Sequence, residues 1–254
     1  MKIQKNELYL GISRNRIIQK YASSGGLVTQ ILYYLLNNKV IDAALVSRVV
    51  SKNYNLKTNC QYISNRKNLL LFSGSSYVNM PIMKSFYKRL SMYNKIAIVA
   101  LPCQIEGIKK FLNRNPELKK KVYVLISLFC HGNSSIDLYR FIFRKFKIPE
   151  NNIYSIKIKR KYIKGNLIVL YNNGENKLFP FEILNAYRIC GCFAMNKCLY
   201  CTDHFGFQAD ISVGDIYDKE FRNSINKYSS FICRTEKSVK IIKELYDKSK
   251  INLV

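Results

Sequence analysis

Eight cysteines are the residues of this chain best suited to chemistry: Cys60, Cys103, Cys130, Cys190, Cys192, Cys198, Cys201 and Cys233. Cys198-Leu199-Tyr200-Cys201 is a C-x-x-C, a spacing that lets two thiolates hold one metal centre. Three chemistries compete for it. A thioredoxin-like redox pair would open a helix soon after a strand, and the preceding Cys190-Gly191-Cys192 argues against that. A zinc knuckle would use Cys190, Cys192, Cys198 and Cys201 as a closed tetrahedral set. An iron–sulfur cluster would join Cys198 and Cys201 to two distant thiolates, Cys103 and Cys130. From spacing alone zinc stands slightly ahead. One buried cysteine commonly just packs. Two at the ends of neighbouring strand-like runs, flanked by Pro102 and by His131-Gly132, are harder to assign to packing and shift the balance toward the cluster.

The other candidates are weaker. Ser23-Ser24-Gly25-Gly26 precedes a helical pattern, and free N–H groups at a helix start favour phosphate; an ordinary capped helix explains the motif equally well. His131 and His204 can ligate metal or relay protons, but lone histidines more often pack or sit at the surface, and neither is given a role. Asp210 and Asp215 either bind a ligand or close a turn after a strand. No residue is assigned as catalytic.

The elements that must position these residues follow from periodicity. Leu27, Val28, Ile31, Leu32, Tyr34 and Leu35 recur at helical spacing, and Ala43 to Ser47 reads as a short buried strand. No element is placed from there to Ser76. Ile82 to Tyr93 reads as a helix. Ile96 to Leu101 is a strand covered on both faces, and a helix through Ile105 and Ile108 follows it. Val122 to Phe129 is the next strand, followed by a helix through Ile136, Tyr139 and Phe143. That alternation predicts parallel strands with right-handed crossovers. Cys103 and Cys130 then emerge at one carboxyl edge, where open α/β sheets bind ligands. Beyond residue 150 the pattern turns antiparallel: Ile153–Lys164, Leu167–Tyr171 and Lys177–Phe181, with Asn172-Asn173-Gly174 as a turn. A cysteine-rich loop, the segment Ala209–Asp215 and a helix near Val239–Lys248 complete the reading. The expectation is an α/β fold: a parallel α/β part over residues 1–150, then an antiparallel, β-rich, cysteine-bearing part over 151–254, possible as one continuous domain.

The 254 residues are 48 % hydrophobic, enough for a substantial core. No apolar run is long enough to span a bilayer, and the polar stretch Met1–Lys20 lacks a signal peptide's apolar centre. A cytoplasmic protein is expected. The formal charge of +26 suits a nucleic-acid binder, but the basic residues are spread along the chain, as in a lysine-rich proteome with lysine-solvated surfaces. The densest group is Lys157, Lys159, Arg160, Lys161 and Lys164; it alternates at first with Ile156 and Ile158 and reads as one exposed strand face. The charge favours anionic ligands, a flavin pyrophosphate or a polyanionic coenzyme among them.

Taken in order, several motifs resemble one family. They are Ser23-Ser24-Gly25-Gly26 with Thr29, Leu101-Pro102-Cys103-Gln104, Phe129-Cys130-His131-Gly132, and Cys198-x-x-Cys201-x-Asp203 running into Ala209-Asp210-Ile211-Ser212-Val213-Gly214-Asp215. Cys233-Arg234-Thr235-Glu236-Lys237 follows. The set resembles the family of coenzyme F420 hydrogenase/dehydrogenase β subunits over nearly the whole chain. The resemblance implies an iron–sulfur flavoprotein oxidoreductase. Its FAD (or FMN, which the sequence does not separate) would exchange a hydride with the deazaflavin coenzyme F420 as substrate. Electrons would then pass through a [4Fe-4S] cluster to a partner redox subunit or ferredoxin-type protein. Carried over residue by residue, Cys103, Cys130, Cys198 and Cys201 are the implied cluster ligands. Ser24, Gly25, Gly26 and Thr29 are the implied flavin-phosphate contacts, and Cys190 and Cys192 become second-sphere or incidental. Two departures from the family pattern stand out. The chain begins at the flavin region without a ferredoxin-like segment, so electrons are expected to leave to a partner. It also ends soon after Lys248, where a longer tail is expected. The alternatives are a zinc-stabilised basic domain that binds nucleic acid, and a degenerate accessory subunit of a polysaccharide-synthesis system.

Overall fold

A computed structural model describes residues 3–52, 55–161, 164–216 and 227–254. Its described strands form one 11-stranded mixed sheet. Four of them build the parallel centre: β2 (Ala43–Lys52), β4 (Ile96–Ala100), β5 (Val122–Leu128) and β9 (Ile211–Asp215). The apolar run at Ile96–Ala100 is buried because helices cover both faces of this centre. Helices α3 (Ile82–Arg89), α4 (Pro102–Asn113) and α6 (Asp137–Lys145) lie on the core with Ile98, Leu125 and Phe86. Helices α2 (Leu27–Asn37) and α8 (Glu236–Asp247) close the second core with Ala97, Ile126 and Phe231. The expected strand–helix–strand units are present, and Ala100 pairs in parallel with Ser127.

Both flanks are antiparallel. On one side β10 (Ser229–Cys233) pairs with β9, β1 (Leu8–Ser13) with β10, and β11 (Ile251–Leu253) with β1. On the other, β3 (Asn55–Ile63) and β6 (Ile153–Lys161) both pair with β2, and β7 (Lys164–Tyr171) and β8 (Asn176–Pro180) continue outward. The Asn172-Asn173-Gly174 turn is present, with Gly174 in the left-handed region and its N–H bonded to the Tyr171 carbonyl at 3.1 Å. Strand β2 outruns its expected end, because β3 gives its second half a partner.

One expectation is overturned. Lys157 is not on an exposed face; it is 7 % exposed and lies opposite Arg48, one step along from the Val49–Ile156 pair. Its Nζ donates to the Leu70 carbonyl at 2.9 Å and sits 4.8 Å from the Tyr21 ring centroid. The alternation failed because β6 is covered on both sides: Ser155, Ile156, Lys157 and Ile158 are all buried. The side chains of Lys159, Arg160, Lys161 and Lys164 lie outside the described part of the structure. Arg48 stacks on Phe72 and Tyr154, and its Nε and Nη1 are buried without hydrogen-bond partners.

Two cations facing each other across a sheet are destabilising. Burial, with Arg48 second, lowers the Lys157 pKa from 10.5 to about 8. Between those values the unfolded chain binds the extra proton, so stability rises with pH there; at pH 7 the whole cost of the buried charge is present. Lys157→Met is therefore expected to stabilise the fold by about 1–2 kcal/mol at pH 7. The lost bond to the Leu70 carbonyl limits the gain. Urea unfolding at pH 7 and pH 10 checks this, with the advantage shrinking at the higher pH.

Candidate functional site

The carboxyl edge of the parallel strands opens into a cavity of about 500 Å³. That volume falls in the usual range of cofactor and small-molecule sites. Its walls come from segments far apart in sequence. They include the Ser23–Gly26 turn with the first turn of α2, the loop Ser73–Val78, the end of β4 with Gln104, Leu128–Asn133, Arg188, and Gly214-Asp215.

The turn before α2 is held by its glycines and hydroxyls. Gly26 caps the helix in a left-handed conformation and has no side chain of its own to bond the first N–H groups. The first N–H groups of a helix have no intrahelical partner, so this end of α2 offers donors and a positive dipole end at the wall. Gly25 lies against neighbouring backbone. A Cβ there would fall on the Gly11 carbonyl oxygen and 2.6 Å from the Ser229 nitrogen. The Ser24 and Ser229 hydroxyls meet at 3.0 Å, and those of Thr29 and Ser73 at 2.9 Å. The Ser23 hydroxyl donates to the Ile158 carbonyl and accepts the Ser75 N–H, tying this turn to the opposite wall. Of the expected phosphate contacts, Ser24, Gly26 and Thr29 line the cavity; Gly25 does not, and serves the close approach of the turn to β1 and β10.

The second element is the thiol group. Cys103 sits in the first turn of α4, where Pro102 begins the helix directly after β4. The Gln104 side chain fixes that start: Oε1 accepts the Leu101 N–H at 3.0 Å, and Nε2 donates to the Met80 carbonyl at 2.6 Å. Cys130 follows β5 at the same edge and lines the cavity. Its N–H donates to the His204 carbonyl, and its own carbonyl lies 2.9 Å from His204 Nδ1. Burial raises the Cys103 and Cys130 thiols, and so do the other thiols: Cys198 and Cys201 act on both, and Cys103 acts on Cys130. Lys197 pulls Cys103 the other way. Cys103, Cys198 and Cys201 thus lie close enough to Cys130 to act on its thiol. Among the described residues no three His, Cys, Asp or Glu side chains are gathered as tightly as a single ion requires. The local zinc set is not assembled either. The Cys190 and Cys192 sulfurs lie 3.3 Å apart, and both are exposed.

The loop after Cys201 is braced by Asp203, which accepts the N–H groups of Phe205, Gly206 and Phe207. Asp210 is a structural tie: its carboxylate accepts the Leu125 N–H at 2.8 Å and the Thr235 hydroxyl at 3.1 Å. Asp215 lines the cavity. His131 stacks on His204 with ring centroids 5.0 Å apart. Burial, His204 and Arg188 hold its pKa below the usual imidazole value. Arg188 lies at the cavity wall, 5.1 Å from the Tyr77 ring centroid. Nothing in its sequence surroundings marks it, because α7 (Phe181–Ile189) begins where a strand was expected to end at Phe181 and runs on where a cysteine-rich loop was expected.

Two family models together match residues 8–86 and 93–254. They are described as the N-terminal and C-terminal parts of the coenzyme F420 hydrogenase/dehydrogenase beta subunit. This chain belongs to that family of beta subunits. A coenzyme F420-dependent sulfite reductase of Methanocaldococcus jannaschii is 32 % identical over 94 % of this chain and 38 % of its own length. One component of the F420H2 dehydrogenase of Methanosarcina mazei is 26 % identical, over 80 % of this chain and 55 % of its own. The beta subunit of the coenzyme F420 hydrogenase of Methanothermobacter thermautotrophicus is 26 % identical over 94 % and 80 %. The chain therefore spans about two-fifths and just over half of the first two relatives. A chain of the F420-reducing NiFe hydrogenase complex from Methanosarcina barkeri superposes with a TM-score of 0.73. It covers 99 % of this chain and 82 % of that one at 20 % identity, a likeness of fold. The family is one of F420-linked oxidoreductases, and the nucleic-acid reading gives way to it. No helix among the described residues is long and apolar enough to cross a membrane.

Two glycines separate packing from propensity. Gly25→Ala is expected to destabilise the chain by about 1–3 kcal/mol, since the added methyl meets backbone that cannot swing away. Gly107→Ala, inside α4 with only Met83 Sδ at 3.9 Å, is expected to stabilise it by about 0.5–1 kcal/mol. Denaturant midpoints of the two variants check both signs.

Proposed function

We propose that this chain is an iron–sulfur flavoprotein subunit that carries electrons between coenzyme F420, or a related hydride donor, and a partner redox protein. The observation that carries this reading is spatial. The Ser23–Gly26 turn and the α2 N-terminus share one cavity at the carboxyl edge of a parallel sheet with Cys130, and Cys103, Cys198 and Cys201 each act on the Cys130 thiol. The relatives' names supply the coenzyme and, as subunits, the expectation of a redox partner.

The donor set suits a cluster better than one ion. A tetrahedral zinc holds its sulfurs about 3.8 Å apart, as follows from Zn–S bonds of about 2.3 Å. A four-iron cube spreads its ligands more widely and takes four thiolates. When bound, a flavin interconverts hydride and single-electron transfer, and the cluster carries single electrons. The chain's own part is positioning. Ser24, Gly26 and Thr29 hold a phosphate at the positive end of α2, and Gln104 fixes the helix start that presents Cys103. Asp203 and His204 shape the backbone around Cys201 and Cys130. Arg188 places a fixed positive charge at the wall, and His131, its pKa lowered, stays neutral at pH 7 and adds none there. Apolar lining from Leu32, Val78, Val99 and Val213 excludes water from the interior.

Protein purified without oxygen is expected to show a flavin band with a broad iron–sulfur shoulder, bleached by reduced coenzyme F420. Cys103→Ala and Cys198→Ala should each lose most of the iron and the shoulder but keep the flavin. Cys60→Ala, outside the thiol group, should keep both. A colourless protein with about one zinc per chain would sink the proposal.

A further inference from the structure

The proposed function leaves one pair of nucleophilic side chains unused. Cys190 ends α7 and Cys192 follows across Gly191. Both thiols are exposed, and their sulfurs are 3.3 Å apart. A disulfide bond is about 2.05 Å long, so closure needs a shift of little more than 1 Å. The linker permits it. Gly191 is in the left-handed region, and the space where its Cβ would stand is empty to 4 Å. The rest of the turn is anchored: the Ala194 N–H bonds to the Gly191 carbonyl at 2.9 Å, and Cys190 Sγ lies 3.0 Å from the Tyr187 carbonyl.

We propose that Cys190-Gly191-Cys192 is a redox-active dithiol that cycles to an internal disulfide by exchange with an external disulfide. Deprotonated Cys190 attacks one sulfur of the external disulfide, and the bond between its two sulfurs breaks. One thiolate leaves and takes up the proton that Cys190 gave. The Cys192 thiol then attacks Cys190 sulfur in the mixed disulfide. The Cys190–Cys192 bond forms, the second external thiol leaves, and it takes the Cys192 proton. In sum two protein thiols are oxidised and one external disulfide is reduced to two thiols. The reverse reaction returns the electron pair.

The two thiols differ in a way that orders these steps. The Cys192 N–H and the Cys192 thiol hold the Cys190 thiol below its ordinary pKa, while Cys192 is held above its own by Cys190. The better thiolate is therefore Cys190, and Cys192 is the resolving group. An exposed disulfide closed over a single residue belongs to the labile kind that reports or transfers electrons and not to the structural kind. The pair also lies two residues beyond Arg188, so its oxidation state bears on a residue of the cavity wall.

The test uses the whole chain and needs neither flavin nor iron, so its outcome is separate from that of the proposed function. Trypsin cuts after Arg188 and Lys197, and the peptide Ile189–Lys197 contains Cys190 and Cys192 and no other cysteine. The protein is equilibrated without oxygen in stepped ratios of reduced to oxidised glutathione, or with oxidised thioredoxin. It is then trapped with iodoacetamide and digested. In wild type the peptide should pass from doubly alkylated to internally bonded, two hydrogens lighter than the dithiol, with little glutathione adduct. In Cys192→Ser the Cys190–glutathione adduct should rise about tenfold, because nothing resolves it. Oxidation by both reagents assigns small disulfides as sufficient partners, and oxidation by thioredoxin alone assigns a protein partner. A peptide that stays doubly alkylated with both reagents overturns the proposal. So does a wild-type peptide that stops at the mixed disulfide.

Discussion

The parallel pairing of β4 with β5 is the constraint on which the rest depends. With Ala100 beside Ser127, the two strands end together, and the chain leaves each with a cysteine within a few residues. Antiparallel pairing would put Cys103 and Cys130 at opposite ends of the sheet. Parallel pairing also requires a covering helix, and α4 meets that need while beginning at the edge where Cys103 is wanted. The site is thus a by-product of how hydrogen bonds in a buried sheet can be satisfied.

The sequence made this centre legible because buried parallel strands and amphipathic crossover helices carry strong, local patterns. Ile96–Ala100, Val122–Leu128 and the helix carrying Ile105 and Ile108 are readable without any partner. The flank of β1, β10 and β11 was hidden for the opposite reason. Leu8–Ser13, Ser229–Cys233 and Ile251–Leu253 are short, and each becomes a strand only through pairing with segments far away in sequence. Propensity is weak for such strands, and tertiary context decides them. Within the site, Ser24, Gly26 and Cys130 were readable from motifs, whereas Arg188 and the loop Ser73–Val78 enter the wall through long-range packing alone.

Polar groups in this fold divide by whether the backbone satisfies them. Asp210 and Asp203 are spent on main-chain N–H groups, so the acidic character of the Asp210–Asp215 segment is half architecture. Arg48 and Lys157 face each other with aromatic rings and one carbonyl as their company. A strongly basic chain places some cations inside simply because it has so few anions to set beside them.

Strand β1 lies between β10 and β11, and Gly25 rests on the Gly11–Ser229 junction of the first pair. Segments near residue 10 therefore wait for segments near residues 230 and 252 before they can pair. During synthesis on the ribosome the parallel centre can fold while this flank is still missing. The turn that shapes one wall of the cavity finds its support only when those late segments emerge. Loading of any large ligand is thereby deferred until the segments near residues 230 and 252 have been made, and a nascent chain short of them keeps an open-sided cavity.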